Sequence, residues 1–392
     1  MTTLVSFLGK GQDGRGYRNA NYQFDDGEIV QAQKYIGTAL ANKFKPTKII
    51  FLGTSGSMWD VFLETASEEL EDRWLSIVEA VQTQSVSKEM LSPFERFLSQ
   101  SYGVEVHCVL IPFAKNTQEQ IEILSVLSNC LQDKEQVVLD VTHGFRHLPM
   151  LALVVARYLK KIKQIDVKNI YYGALEMTEN GYTPVLNLDG MLSMLDWVDA
   201  IGTYDKDGDY SVFAPLLINE GLSENDSNLL KEASFFERNN NSSQANQKLS
   251  SIFSKIESIK TPIFDLFKPQ LVQRLNWFKK GNRGKQEQRL AYEYLARKDY
   301  LRAVIFAQEG MISAKTFDEK GKVNDYTDRE NSRNLLKESD EFRFLSNIRN
   351  SLVHGLGKDA KKDLKRILSQ ESTMKQSLDS RFNNLFCKIK ND

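Results

Sequence analysis

Val137-Val-Leu-Asp140-Val-Thr142-His143-Gly144-Phe-Arg146-His-Leu-Pro149-Met150 is the stretch whose reading decides the fold. Val137 to Val141 is short, apolar and β-branched with polar flanks, the pattern of a buried strand. Pro149 then opens an amphipathic run to Tyr158 and Leu159, and proline suits a helix's first turn because its missing N–H has no partner there. The turn between them joins a strand end to a helix N-terminus, where free amides and the helix dipole favour an anion. Thr142, His143 and Arg146 add a hydroxyl, an imidazole and a guanidinium at that place. The plainer alternative is an ordinary strand-to-helix turn in which Gly144 serves only the bend.

Outward from this segment the same texture repeats. Strands are expected at Thr3–Leu8, Lys48–Leu52, Val104–Ile111, Gln136–Val141 and Asn169–Tyr172, with helices at Glu28–Asn42, Met58–Val81, Thr117–Leu131 and Leu148–Ile162. Thr117 and Gln120 have the spacing of a capping box. Alternation of this kind implies a mostly parallel sheet with helices on both faces, and ligands of such sheets sit beyond the strands' carboxyl ends. From about Met191 the strand-like runs stop. Tyr204–Tyr210 and Asn239–Ser243 read as polar breaks, and helical patterns fill Leu229–Glu237, Gln244–Ser258, Gln286–Ala296, Tyr300–Lys315, Glu341–His354, Lys361–Ser369 and Met374–Ile389. The expected organisation is therefore α/β followed by all-α, with residues 1–200 as one domain, 201–260 as a helical linker or insertion, and 261–392 as a second domain.

Composition narrows the class. The chain has 392 residues, 41% of them hydrophobic and 26% charged, which is ordinary for globular proteins. Three cysteines without metal-ligand spacing suggest a reducing, cytoplasmic setting, and no apolar run is long enough to address a membrane. The net charge of −1 conceals an asymmetry: residues 270–392 carry 26 Lys and Arg against 17 Asp and Glu, whereas 1–269 carry 25 against 35. Any nucleic acid is thus expected on the C-terminal part.

Two more turns carry ligand chemistry. Gly9-Lys10-Gly11-Gln12-Asp13-Gly14 spells a dinucleotide fingerprint, but Tyr17, Tyr22 and Phe24 follow in a hairpin-like stretch where that motif needs a helix. A dinucleotide cofactor is rejected, while Lys10 remains a charge beside a backbone open to close approach. Gly53-Thr54-Ser55-Gly56-Ser57 is neither a nucleophile elbow nor a P-loop. It is a hydroxyl- and amide-rich turn suited to a phosphate or ribose, or else a tight turn with a capping serine. His143 and His147 are four apart, yet no third ligand is evident, so no metal is expected.

In the helical part, Phe342, Leu345, Ile348 and Leu352 form an apolar stripe, and Gly355 stops the helix. Asn350 and His354 share one face, whereas Arg349 is turned away by roughly 140° and must reach round or serve a neighbouring chain. A histidine that moves a proton, an arginine that stabilises phosphorane charge and an orienting asparagine suit metal-free RNA cleavage.

Taken in order, Gly53-Thr-Ser-Gly-Ser with Met58-Trp59-Asp60, then Asp140-Val-Thr-His-Gly-Phe-Arg-His-Leu-Pro149, then Arg349-Asn-Ser-Leu-Val-His354 resemble the CARF–HEPN effector ribonucleases of type III CRISPR systems. The Arg297–Ala303 run leading into the helix of Glu309 also resembles the helix-turn-helix before the catalytic helix of HEPN domains. The resemblance implies a Rossmann-like CARF domain and a helical HEPN domain in a homodimer. It implies that a cyclic oligoadenylate, tetra-adenylate favoured, binds across the two-fold axis and activates a composite endoribonuclease that cuts single-stranded RNA without metal. Arg349 and His354 would be the catalytic pair with Asn350 in support. The sensor contacts would fall on Lys10, Gly53, Thr54, Ser55, Thr142, His143, Gly144 and Arg146. Two alternatives accompany this reading: a non-catalytic nucleotide-sensing adaptor, and a sensor domain that also cleaves its own ligand as a ring nuclease.

Overall fold

The computed structural model describes residues 2–10, 17–144, 148–357 and 361–386. The chain forms two units, Met1–Leu192 and Ser193–Asp392. In the first, the strands are β1 Thr2–Phe7, β2 Ala20–Gln23, β3 Ile29–Gln33, β4 Lys48–Gly53, β5 Glu105–Leu110, β6 Gln136–Asp140, β7 Asp166–Gly173 and β8 Tyr182–Asn187. They make one eight-stranded sheet in the order β3-β2-β8-β7-β6-β1-β4-β5. The five strands from β7 to β5 are parallel, β8 is antiparallel to β7, and the β2–β3 hairpin finishes the edge.

The central strands read as unbroken apolar runs because both faces are covered. Alternate residues feed two separate cores. Leu4, Ile49 and Phe51 pack on one face with α1 (Ile36–Phe44), α2 (Trp59–Phe62), α3 (Glu71–Gln82) and α4 (Lys88–Tyr102). Val5, Phe7, Ile50 and Leu52 pack on the other with α5 (Thr117–Cys130) and α6 (Leu148–Ile162). This is the expected mostly parallel sheet with helices on both faces.

Local expectations needed correction. The single helix expected at Glu28–Asn42 is β3 followed by α1, because the Asp26-Gly27 turn folds β3 back on β2: Phe24 N–H donates to Glu28 O, and Gly27 N–H to Phe24 O. Met58–Val81 is broken into α2, a 3-10 turn at Glu64–Ala66 and α3. The indole of Trp74 donates to Asp60 O across that break, at 2.9 Å. α4, with Leu91, Phe94 and Leu98 buried, was not anticipated. The cap of α5 lies one residue earlier than expected: Asn116 accepts from Glu119 N–H, and the Glu119 carboxylate accepts from Lys115 N–H.

The second unit is helical throughout its described residues. α7 (Asp189–Asp207) runs through most of the expected polar break, which shrinks to Gly208 and Asp209, and Asp209 caps the following turn at Ser211. α8 (Ala214–Asn219), α9 (Glu224–Arg238), α10 (Ser242–Ser258) and α11 (Pro262–Leu275) precede α12 (Arg283–Ala296), α13 (Tyr300–Asp318), α14 (Tyr326–Leu336), α15 (Asp340–His354), α16 (Lys362–Leu368) and α17 (Glu371–Leu385). Residues 201–260 do not stand apart. Tyr204, Phe213, Leu230 and Ile252 share one core with Leu290, Phe306 and Leu345.

Candidate functional site

The first candidate lies on the carboxyl edge of the parallel strands. Taken in chain order, those five strands lie in the spatial order 3-2-1-4-5, which puts the topological switch point between β1 and β6, where ligands of open α/β sheets bind. The turns after these two strands meet there. A Cβ on Gly9 would stand 2.5 Å from Gly144 N, so only glycine allows this approach. Gly144 itself has φ +120°, a region closed to most side chains. The turn after β4 joins them: Met58 N–H donates to Gly9 O and Ser57 Oγ donates to Leu8 O, each at 2.9 Å. The three expected turns therefore form one continuous edge.

Individual side chains divide into scaffold and surface. Gly53 and Thr54 are buried; the Thr54 hydroxyl contacts Ser57 Oγ at 3.2 Å, and Thr54 O accepts from the Trp59 indole. Ser55 is half-buried beside them, and Lys10 is exposed. Thr142 Oγ1 accepts from Gly173 N–H at 2.8 Å, tying the turn to β7. Its own N–H donates to Asp140, a fully buried carboxyl that also accepts from Ser6 Oγ. Burial raises this carboxyl to about 6.

His143 is the most pointed of these residues. Its ring stacks on Tyr35 at 4.9 Å between centroids and meets the Tyr17 ring edge-on at 4.7 Å. Burial lowers the imidazole to about 4, and Nε2 is enclosed without a partner. A neutral ring with one uncommitted nitrogen stands at the switch point. The two tyrosines that brace it were missed in the sequence. The Tyr35 hydroxyl donates to Phe7 O at 2.7 Å, and that of Tyr17 bonds both backbone groups of Gly9. Both arrive through the β2–β3 hairpin region, and Asp26-Gly27, a common hairpin signal, was the clue. Arg146 lies outside the described residues, as does Gly11–Gly16 of the glycine-rich run.

The second candidate is the carboxyl end of α15. Ser339 caps the helix, and Phe342, Leu345 and Ile348 bury one face. Asn350 and His354 are exposed, and Arg349 is half-buried. The arginine does reach round: Nη2 and Nε donate to Asn350 Oδ1 at 3.1 and 3.3 Å. The three side chains thus stand on one helix end, open rather than packed into the core. Before them, Arg297-Lys298-Asp299 turns α12 into α13, with Asp299 accepting from Arg302 N–H, as a helix-turn-helix requires.

Residues 3–176 match the family model of the CARF domain of the CRISPR system endoribonuclease Csx1. The match spans most of the first unit, including the switch-point fold just described, and makes that unit similar to a CARF domain. Among curated proteins the chain is similar to the CRISPR-associated protein MJ1674 of Methanocaldococcus jannaschii, 26% identical over 247 residues. That match covers 56% of this chain and 39% of the relative's length. Among the described residues, no helix is long and apolar enough to cross a membrane.

Proposed function

We propose that the protein is a CARF–HEPN endoribonuclease, switched on by a cyclic oligoadenylate and active as a homodimer. The observation that carries the proposal is Arg349, Asn350 and His354 standing open at one helix end, in an all-helical unit that follows a CARF-like unit. A helical unit serving only as an adaptor has no need to hold an arginine against Asn350 at the same helix end as an exposed histidine.

The sensor half is suited to an anionic ring. Amides at the ends of β1, β4 and β6, with Lys10, Ser55 and the neutral His143, offer donors to phosphates and adenine edges. Thr142, Gly144, Gly53 and Thr54 hold these turns in place. A ring with two-fold symmetry presents equal halves to two chains, and tetra-adenylate is favoured because its four nucleotides divide evenly over two chains in a compact ring, as the six of hexa-adenylate also do. The dimer has physical support in α6, where Met150, Val154, Tyr158 and Ile162 recur every four residues, all exposed. Such a stripe is unfavourable in water unless another surface covers it.

In the nuclease half, His354 of one chain takes the proton of a ribose 2′-hydroxyl. The 2′-oxygen attacks the adjacent phosphorus, Arg349 guanidinium groups balance the added phosphorane charge, and the 5′-oxygen leaves. The leaving oxygen takes a proton from the second histidine. The product is a 2′,3′-cyclic phosphate, and no metal enters any step. The test is cleavage of single-stranded RNA in EDTA with cyclic adenylates of different ring size. Activator-dependent cutting with cyclic phosphate ends, lost in His354→Ala while ligand binding persists, is the expected result. A His354→Ala protein that still cuts rejects the site.

A second activity of the sensor is favoured by one feature, the uncommitted Nε2 of His143 beside the backbone edge. If it helps cleave the ring, labelled ligand incubated with protein yields linear adenylates, and His143→Phe stops it; intact ligand leaves pure sensing.

A further inference from the structure

Resting on the reading of α15 as the nuclease helix, we infer that the cleft between α13, α14 and α15 is a nucleotide subsite, in which Gln308 selects RNA bases bearing an exocyclic amine over uracil. The cleft has a volume of about 450 Å³ and reaches Arg349 at one end. Roughly 300–1,000 Å³ is the range of small-ligand sites, so a single nucleotide is accommodated.

Its floor is Ile312 and Phe342, apolar faces for a base. Gln308 lines the same cleft and is only 3% exposed. The orientation of its amide follows from its neighbour. Ser346 Oγ donates its one proton to Phe342 O at 2.9 Å, so it can only accept from Gln308, whose Nε2 lies 2.7 Å away. That leaves Gln308 Oε1 as a buried acceptor with no partner. A buried acceptor without a donor costs about 1–3 kcal/mol, which an incoming N–H relieves.

The rim is cationic. Arg333 is engaged by Glu309 and Glu330, and Arg343 by Asp340. Lys337 and Arg349 form no ion pair among the described residues; Lys337 Nζ meets only the Asn334 amide oxygen, at 2.7 Å. These two charges are available to phosphates while the base enters. An exocyclic amine places a donor at the outer edge of the base. Uracil offers only N3–H, flanked by two carbonyl oxygens that would crowd the Gln308 oxygen.

The test uses full-length protein and short fluorescent 2′-fluoro homopolymers of adenine and of uracil, which resist cleavage, titrated by anisotropy. The adenine strand is expected to bind about three- to tenfold tighter, the size of one hydrogen bond. Gln308→Leu should erase that gap. Lys337→Ala, at an exposed position that does not threaten folding, should weaken both strands alike and reduce the salt slope by about 0.7. A gap unchanged in Gln308→Leu, or unchanged affinity and slope in Lys337→Ala, overturns the subsite. Because the readout is binding, the two proposals fail separately. Protein that cuts no RNA yet shows both shifts keeps the subsite and loses the nuclease; protein that cuts RNA with neither shift does the reverse.

Discussion

Asp140 and His143, three residues apart, are pushed in opposite directions by the same burial. The folded carboxyl holds its proton up to about 6, the unfolded one only to about 3.9. Folding therefore bears the full cost of an ionised buried carboxylate above pH ~6, and acidification relieves it between those values. Asp140→Asn can keep the bonds to Ser6 and Thr142 while removing the charge. It is expected to raise the melting temperature of the first unit at neutral pH, with the gain fading as the pH falls below about 6. His143 works the other way. Its folded imidazole titrates near 4, the unfolded one near 6.5, so it withdraws stability as the pH falls through that window. His143→Phe, which keeps a ring against Tyr35, should flatten the acid side of the stability curve. Differential scanning calorimetry across pH checks both, and a flat difference for either variant contradicts its assignment.

At the scale of elements, the other end of the same strands shows how the sheet holds a charge pair. Lys48 opens β4 and meets Glu135, beside β6, at 3.3 Å, with both side chains almost wholly buried. Glu135 also accepts from Thr3 Oγ1 on β1 and from Gln132 N–H, and Lys48 donates to Cys130 O. Lys48→Ala leaves that carboxylate unpaired and should destabilise the first unit by about 3–5 kcal/mol in urea unfolding. A loss under about 1 kcal/mol, the value of an exposed pair, would show that water reaches the site. These central strands were legible in the sequence because burial on both faces leaves continuous apolar runs such as Ile49–Leu52. α6 was legible end to end, its apolar period starting at a proline. At the sheet's antiparallel edge only the hairpin-like character of the Tyr17–Phe24 stretch was legible, and β3 was expected as helix. β3 has Ile29 exposed and polar residues on both sides, so only its pairing with β2 makes it a strand. In the same way, Thr142, His143 and Gly144 could be read as a site from their turn. Tyr35 could not, because its place against His143 depends on packing between distant segments.

For the whole molecule, the expected partnership rests on α6. Val154, 57% exposed, lies in the middle of the stripe, and Val154→Asp there should turn a dimer into a monomer by light scattering. The same change should abolish activator-dependent cleavage with His354 intact, since in the proposed dimer each chain would supply half of both sites. A Val154→Asp protein that stays dimeric moves the seam elsewhere. The basic surplus after residue 270 adds an expectation that RNA binding weakens steeply with salt, while unfolding of the first unit is much less affected. The stripe on α6 has one more implication, for the cell. If two chains must meet before either receptor is complete, output falls faster than protein level on dilution. Scarcity alone would then keep the proposed nuclease quiet, and induced synthesis would arm it before any activator is made.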